Sequence, residues 1–338
     1  MKKITICMAC ALTAALLPQW LFAGGSGSRA SFTRGGWAGA RYAAMGMAAE
    51  VITDDVYAMY WNPAGLTELK GKKQLSITEI KEKARTGKVD EISEGDLLKF
   101  SDEQVRQSFF QVGFSGASLD IERNAGFAGF AFNLFRGVLG IGVYSIYSPD
   151  IESRNESGDY LKKLNYTASE AFISYSWTAG ISSLGFSLKT LYEQIGETMY
   201  AGPGADIGIQ VYVLPFLKIG FMAQDLGTFL YPVDSAEDVE KRYDFASPVL
   251  RLGAAFYSDS GIVLAISAVK KLEQEDYDYG FGIQYEVMKN FALYLGLNNS
   301  LFSAGAGIDI GGMNISYAFS VDNIDYGYNN MVSVTLLL

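Results

Sequence analysis

Tyr277-Asp278-Tyr279-Gly280-Phe281-Gly282-Ile283-Gln284-Tyr285-Glu286 decides how this chain folds. Successive side chains of a β-strand point to opposite faces. Tyr277, Tyr279, Phe281, Ile283 and Tyr285 therefore share one face, and Asp278, Gly280, Gly282, Gln284 and Glu286 share the other. The same period of two runs outward through most of the chain. Ala205, Ile207, Ile209, Val211 and Val213 alternate with Asp206, Gly208, Gln210 and Tyr212. Ile173, Tyr175 and Trp177 oppose Ser174 and Ser176, and Leu184, Phe186 and Leu188 oppose Gly185, Ser187 and Lys189. Leu217, Ile219 and Phe221 oppose Lys218, Gly220 and Met222, while Leu250, Leu252 and Phe256 oppose Arg251 and Gly253. Met313, Ile315, Tyr317 and Phe319 oppose Asn314, Ser316 and Ser320, and Val332, Val334, Leu336 and Leu338 oppose Ser333 and Thr335.

A soluble sandwich also alternates, so the kind of polar face matters. Sandwich exteriors are rich in Lys, Glu and Thr, whereas this face is mostly Gly, Ser, Asn, Asp and Gln with scattered charges. The apolar face is large, and aromatic near strand ends. That pairing predicts an all-β fold, a transmembrane antiparallel β-barrel with lipid outside and a polar lumen inside. Closure is obligatory there, because no backbone N–H or C=O can stay unpaired in hydrocarbon. Two stretches avoid charge, 171–188 and 290–308, but the first carries serines on a strand period and the second has Asn298-Asn299-Ser300 at its centre. Neither reads as a membrane helix. Short links are expected at Phe135-Arg136-Gly137, Thr178-Ala179-Gly180, Leu214-Pro215, Ser258-Asp259-Ser260, Met288-Lys289 and Gly311-Gly312. Longer polar links are expected at 148–164, 227–244 and 322–330. The pattern from Lys73 onward yields about fifteen candidate strands. An even number is required. Fourteen is the preferred count and sixteen the next, with the doubt falling in 80–121 and a charged loop expected over 81–106.

Lys2 and Lys3 precede an apolar run over 4–17, and Leu21-Phe22-Ala23 precedes Gly24-Gly25. This is the pattern of a cleaved secretory signal, expected over 1–23; the run is short for a retained anchor. Cys7 and Cys10 are the only cysteines and lie within that segment, so the expected mature chain has no disulfide, thiolate nucleophile or cysteine metal site. Histidine is absent, which excludes Ser-His-Asp and Cys-His catalysis. No enzyme activity and no cofactor are expected. Acidic residues number 37 against 27 basic, and setting Lys2 and Lys3 aside leaves 25, a balance that argues against nucleic acid.

The segment 24–69 does not alternate. It is expected to plug the lumen, with 70–338 forming the barrel. Small residues over 38–49 suit tight packing, and Asn62-Pro63 demands an extended or turned backbone. Arg41, Ala44-Met45-Gly46-Met47-Ala48, Asp54-Asp55 and Tyr60-Trp61-Asn62-Pro63-Ala64-Gly65-Leu66 resemble the N-terminal signature of the FadL-like long-chain fatty acid transporter superfamily, closest to its PorV/PorQ-type branch. The likeness is specific over about 30 residues and architectural beyond them. It implies a fourteen-stranded barrel in the bacterial outer membrane with an N-terminal hatch, and passive uptake of hydrophobic molecules such as fatty acids. Asn62, Pro63, Ala64 and Gly65 would be hatch residues; turn chemistry alone would equally let them cap the entry to the first strand. Substrate-pocket residues of the family find no match here, and the chain is shorter than its typical transporters. The branch also includes secretion components, which keeps open a structural barrel with a periplasmic or surface protein partner and no substrate of its own.

Gly35-Gly36 and the glycines of 202–208 lack the context of a phosphate loop and read as lumen packing or turns. The acids Asp234, Glu237, Asp238 and Glu240 lack calcium-loop spacing and read as a solvated loop. Lys189, Lys218, Arg251, Asp206 and Glu286 are expected to face inward, paired across the lumen or forming a selectivity field.

Overall fold

The computed structural model describes residues 32–70, 109–234, 243–322 and 327–338. The expected signal segment, the loop over 81–106 and most of the acidic cluster lie outside them. Sixteen strands follow one another in the described residues: β1 Phe110–Ser118, β2 Asn124–Leu134, β3 Gly137–Arg154, β4 Tyr160–Ala179, β5 Ser182–Ile195, β6 Thr198–Leu214, β7 Leu217–Leu226, β8 Phe229–Asp234, β9 Asp244–Phe245, β10 Val249–Tyr257, β11 Ile262–Lys271, β12 Tyr277–Met288, β13 Phe291–Asn298, β14 Leu301–Ile310, β15 Met313–Val321 and β16 Tyr328–Leu337. β1 pairs antiparallel with β16, from Gln111 opposite Leu337 to Ser118 opposite Asn330, and that pairing closes the ring. β7 pairs directly with β10, so β8 and β9 stand outside the ring as a ribbon on the outer end of β6. Fourteen staves remain, as the sequence pattern preferred, and the ring closes without residues 71–108.

The alternation sets the two faces of the wall. Phe114, Ile173, Leu188, Leu252, Ile266, Leu295 and Val332 point outward and are exposed. Their neighbours Ser174, Ser187, Asp206, Gln210, Lys218, Ser267, Ser303 and Ser333 point inward and are buried. Such an apolar belt round a closed cylinder is a surface for lipid, and the barrel is of the outer-membrane type.

Both chain ends of the wall, Phe110 and Leu338, lie at the rim that carries the two-residue turns at Phe135-Arg136, Gly180-Ile181, Pro215-Phe216 and Lys289-Asn290. By the rule of short periplasmic turns that rim is the periplasmic one. Two expected long links are corrected, and in the first, 227–244, Phe229–Asp234 is strand β8. The stretch 148–164 is mostly strand, because β3 and β4 run on as a paired ribbon beyond the rim, with Arg154 opposite Tyr160. Polar and charged side chains there hid a strand that has water on both faces. At the other end of β13, Asn299 and Ser300 form the expected tight turn, both at positive φ.

Replacing mid-wall Ile173, which is exposed on the outer face, by Arg should cost about 2–4 kcal/mol when reversible unfolding is followed in lipid vesicles.

Candidate functional site

The lumen is filled by residues of the N-terminal segment. Two short helices, Ala40–Ala44 and Ala58–Trp61, and two 3-10 turns, Phe32–Arg34 and Pro63–Lys70, sit inside the ring. Small side chains at Ala38, Ala40, Ala44, Ala48, Ala49, Ala58 and Ala64 are almost wholly buried and bring backbone close to backbone. A packed aromatic group fixes the middle: ring centres are 4.9 Å apart for Tyr60 and Tyr144, 5.1 Å for Tyr60 and Trp61, and 5.0 Å for Tyr57 and Phe127. Three of their polar ends have acceptors on the backbone, while the Tyr144 hydroxyl is buried without a hydrogen-bond partner. Trp61 Nε1 donates to Ala38 O at 2.6 Å, Tyr60 Oη to Thr33 O at 2.7 Å and Tyr57 Oη to Phe114 O at 2.7 Å.

Asn62, Pro63, Ala64 and Gly65 come together as a single buried turn against β5 and β6. The residue before a proline is driven out of the helical region. Asn62 accordingly ends the helix Ala58–Trp61 in extended backbone, at φ −167° and ψ 106°. Its amide Nδ2 donates to Glu50 O at 2.7 Å and approaches Phe221 O at 3.3 Å and Ile209 O at 3.4 Å, while Oδ1 accepts from Ala64 N at 3.1 Å. Gln210 Nε2 adds a donor to Glu50 O at 3.0 Å, and Thr67 Oγ1 meets Ser183 Oγ at 2.7 Å. One asparagine thus ties two plug segments to two wall strands. The wall makes room with glycine: a side-chain carbon at Gly185 would meet the backbone of Pro63 and Ala64, and one at Gly208 would meet the Asn62 amide.

Charge anchors the outer half. Arg34 Nε contacts Asp225 Oδ2 at 2.8 Å, Nη1 contacts Glu273 Oε1 at 3.2 Å, and Nη2 donates to Ser247 O at 2.6 Å. Lys189 Nζ lies 2.6 Å from Asp225, 3.1 Å from Asp206 and 3.4 Å from Glu170, all of them buried. Asp225 reaches both cations because β7 bulges there, two of its residues lying opposite Asp206, with Asp225 at φ +63°. The inward-facing charges expected from sequence are therefore mostly paired, and Lys218 meets Glu68 of the plug at 3.4 Å. Glu286 stands instead at the periplasmic mouth, beside a polar cup around Arg41, whose Nη1 contacts Asp54 at 2.6 Å. Arg34, Glu50, Glu170 and Asp225 were not distinguishable in the sequence, since each acquires its role from partners remote along the chain. Burial pushes the Glu50 carboxyl up to about 7, against the smaller pull of a backbone hydrogen bond and of the Arg251 charge.

At the outer mouth the plug forms the floor of a well of about 300 Å³. Arg34, Trp37 and Met47 of the plug line it, with Arg251, Lys271 and Asp322 from the wall side. No group of His, Cys, Asp and Glu suited to a metal ion occurs among the described residues.

A closed fourteen-stave wall around a short helical plug decides the comparison with solved structures. The chain has the FadL-like barrel fold. The Ralstonia pickettii toluene transporter TbuX aligns at 12% identity with a TM-score of 0.56, over 88% of this chain and 97% of its own. The Pseudomonas putida toluene transporter TodX aligns at 12% identity with a TM-score of 0.54, over 88% and 96%. A Pseudomonas aeruginosa FadL homologue aligns at 11% identity with a TM-score of 0.52, over 89% and 97%. No protein-family model and no curated protein matches the sequence.

Two outcomes test this geometry. Gly208→Val should unseat the turn at Asn62 and lower stability by about 1–3 kcal/mol, with faster proteolysis near residue 62 and an intact wall by circular dichroism. For Glu50 the folded chain binds the proton more tightly than the unfolded one, so its contribution to stability falls as pH rises from the ordinary carboxyl range to about 7. Glu50→Gln should flatten that part of the pH profile of thermal unfolding and raise the melting temperature at pH 8.

Proposed function

We propose that this barrel is an outer-membrane channel for passive uptake of hydrophobic small molecules, with long-chain fatty acids as substrate and residues 24–69 as a gating hatch. What carries the reading is the plug held in the lumen of a FadL-like wall by the turn Asn62-Pro63-Ala64-Gly65. The solved neighbours named above include two toluene transporters, which supports a hydrophobic cargo. In this reading Asn62 is the hinge: breaking its hydrogen bonds to Glu50, Ile209 and Phe221 frees the plug backbone from β6 and β7. Residues 1–23 are a cleaved signal, and outer-membrane lipid surrounds the belt.

The charged lining of the outer well favours a second reading, a structural barrel that carries no cargo and engages a periplasmic or surface protein. Purified protein in liposomes separates the two. Saturable entry of labelled fatty acid, reduced several-fold in Asn62→Ala, is expected for the channel. Protein-free rates of entry, together with a stable complex recovered by pull-down, would establish the scaffold instead.

A further inference from the structure

Two cavities flank the plug, the outer well of about 300 Å³ and the periplasmic cup of about 350 Å³, and both lie on the same stretch of wall. On β12 Gly280 lines the well and Gln284 the cup. Asn298 and Tyr294 stand in the same relation on β13, and Ser303 and Gly307 on β14. Each pair is four residues apart, about 13 Å of strand, with a single inward-facing position between them. Those positions are Gly282, Gly296 and Gly305, and β15 repeats the spacing around Ala318. One piece of plug, Ala44-Met45-Gly46, closes the gap. A side-chain carbon at Gly282 would meet Met45 O, one at Gly296 would meet Gly46 N, and one at Gly305 would meet Ala44 Cβ. Gly46 itself, at φ +63°, has Phe281 O and Leu297 O where a side chain would begin.

The plug is held unequally. Toward β5–β7 the Asn62 amide reaches two wall carbonyls, Lys218 meets Glu68, Arg34 meets Asp225 and Thr67 meets Ser183. Among the described residues, none of β4–β7 lines either cavity. Toward β12–β15 the ties are hydrogen bonds to neutral acceptors. Ser303 Oγ donates to Ala44 O at 2.9 Å, Asn298 Nδ2 to Met47 Sδ at 3.2 Å, and Arg41 Nε to Gln284 Oε1 at 2.9 Å. Such bonds are easier to give up than a buried ion pair, whose loss leaves a bare charge.

We propose that the turn Ala44-Met45-Gly46-Met47 is the free edge of the plug, and that cargo passes from the outer well to the periplasmic cup between this turn and β12–β14. The inference rests on the channel reading above and gives it a route. Asn62 is the fixed end about which the edge turns, and its bonds to β6 and β7 stay in place. The route ends at the periplasmic mouth inside the ring, so every stave of the wall keeps both partners while cargo passes. Lifting one short turn joins two cavities that already exist, and it leaves the charge cluster around Asp225 buried.

The test is a pair of cross-links between plug and wall in the full barrel, each compared with its own reduced form. Cys7 and Cys10 are the only native cysteines and lie in the expected signal, so introduced pairs are unique. Met47→Cys with Asn298→Cys, both lining the outer well, is joined by a short bis-methanethiosulfonate that a reductant cleaves. Thr67→Cys with Ser183→Cys, whose hydroxyls are 2.7 Å apart, closes on the hinge side as a disulfide. The edge link should cut entry of labelled fatty acid into liposomes to the protein-free rate, and reductant should restore it. The hinge link should leave entry intact. Amide hydrogen exchange in nanodiscs should be faster at Met45 and Met47 than at Trp61 and Asn62, although all four amides are hydrogen-bonded within the plug. Undiminished entry through the edge-linked barrel overturns the route while the channel stands. Entry stopped by both links overturns it too, because the whole plug must then leave. Slower exchange at the edge than at the hinge overturns it whatever the uptake. If the reduced and wild-type proteins carry no fatty acid, the channel reading fails and the route falls with it.

Discussion

Strand pairing around a complete circle is the constraint on which the rest of this molecule depends. Hydrocarbon offers nothing to an unpaired amide, so each wall strand must find a partner on both sides. The circle is completed only when β1, at Phe110–Ser118, meets β16 at Tyr328–Leu337. Once it is complete, the period of two assigns every second side chain to a lumen with no exit. What faces inward must then be small, polar and matched to whatever fills the interior.

The filling is done with backbone. At Gly185 and Gly208 the wall presents no side chain, and the plug comes close enough for Asn62 to reach carbonyls of β6 and β7 as well as its own chain at Glu50. A buried amide that makes several such bonds is strongly specified in place, because removing it leaves carbonyls without donors in a site that water does not readily enter. The aromatic group around Tyr60 supplies bulk, and the Tyr60 phenol and Trp61 indole are each given an acceptor on the chain.

Charge is handled differently in the two halves of the lumen. On the outer side Lys189 and Arg34 share Asp225, and a bulge in β7 exists at the place where that carboxylate has to turn inward. Buried clusters of this kind contribute little net stability, but they are intolerant of losing one member. They fix the register of plug against wall more than they hold it down. Arg251, by contrast, lies over the Trp61 ring and takes Gln224 as its hydrogen-bond acceptor.

Much of the wall was legible in the chain itself. Alternation at Tyr277–Glu286 and its relatives gave the faces, and the turn residues gave most hairpins, because both are local properties with a fixed period. The same logic failed at 148–164, where a ribbon with water on both sides loses the apolar half of the signal. Asn62-Pro63 announced a turn from its own stereochemistry. That this turn lies against Gly208, and that Arg34 meets Asp225 across 191 positions of chain, were decided only in three dimensions. The physical reason is that periodicity is carried by neighbours along the chain, whereas the neutralisation of a charge depends on which distant strand the closed ring brings beside it.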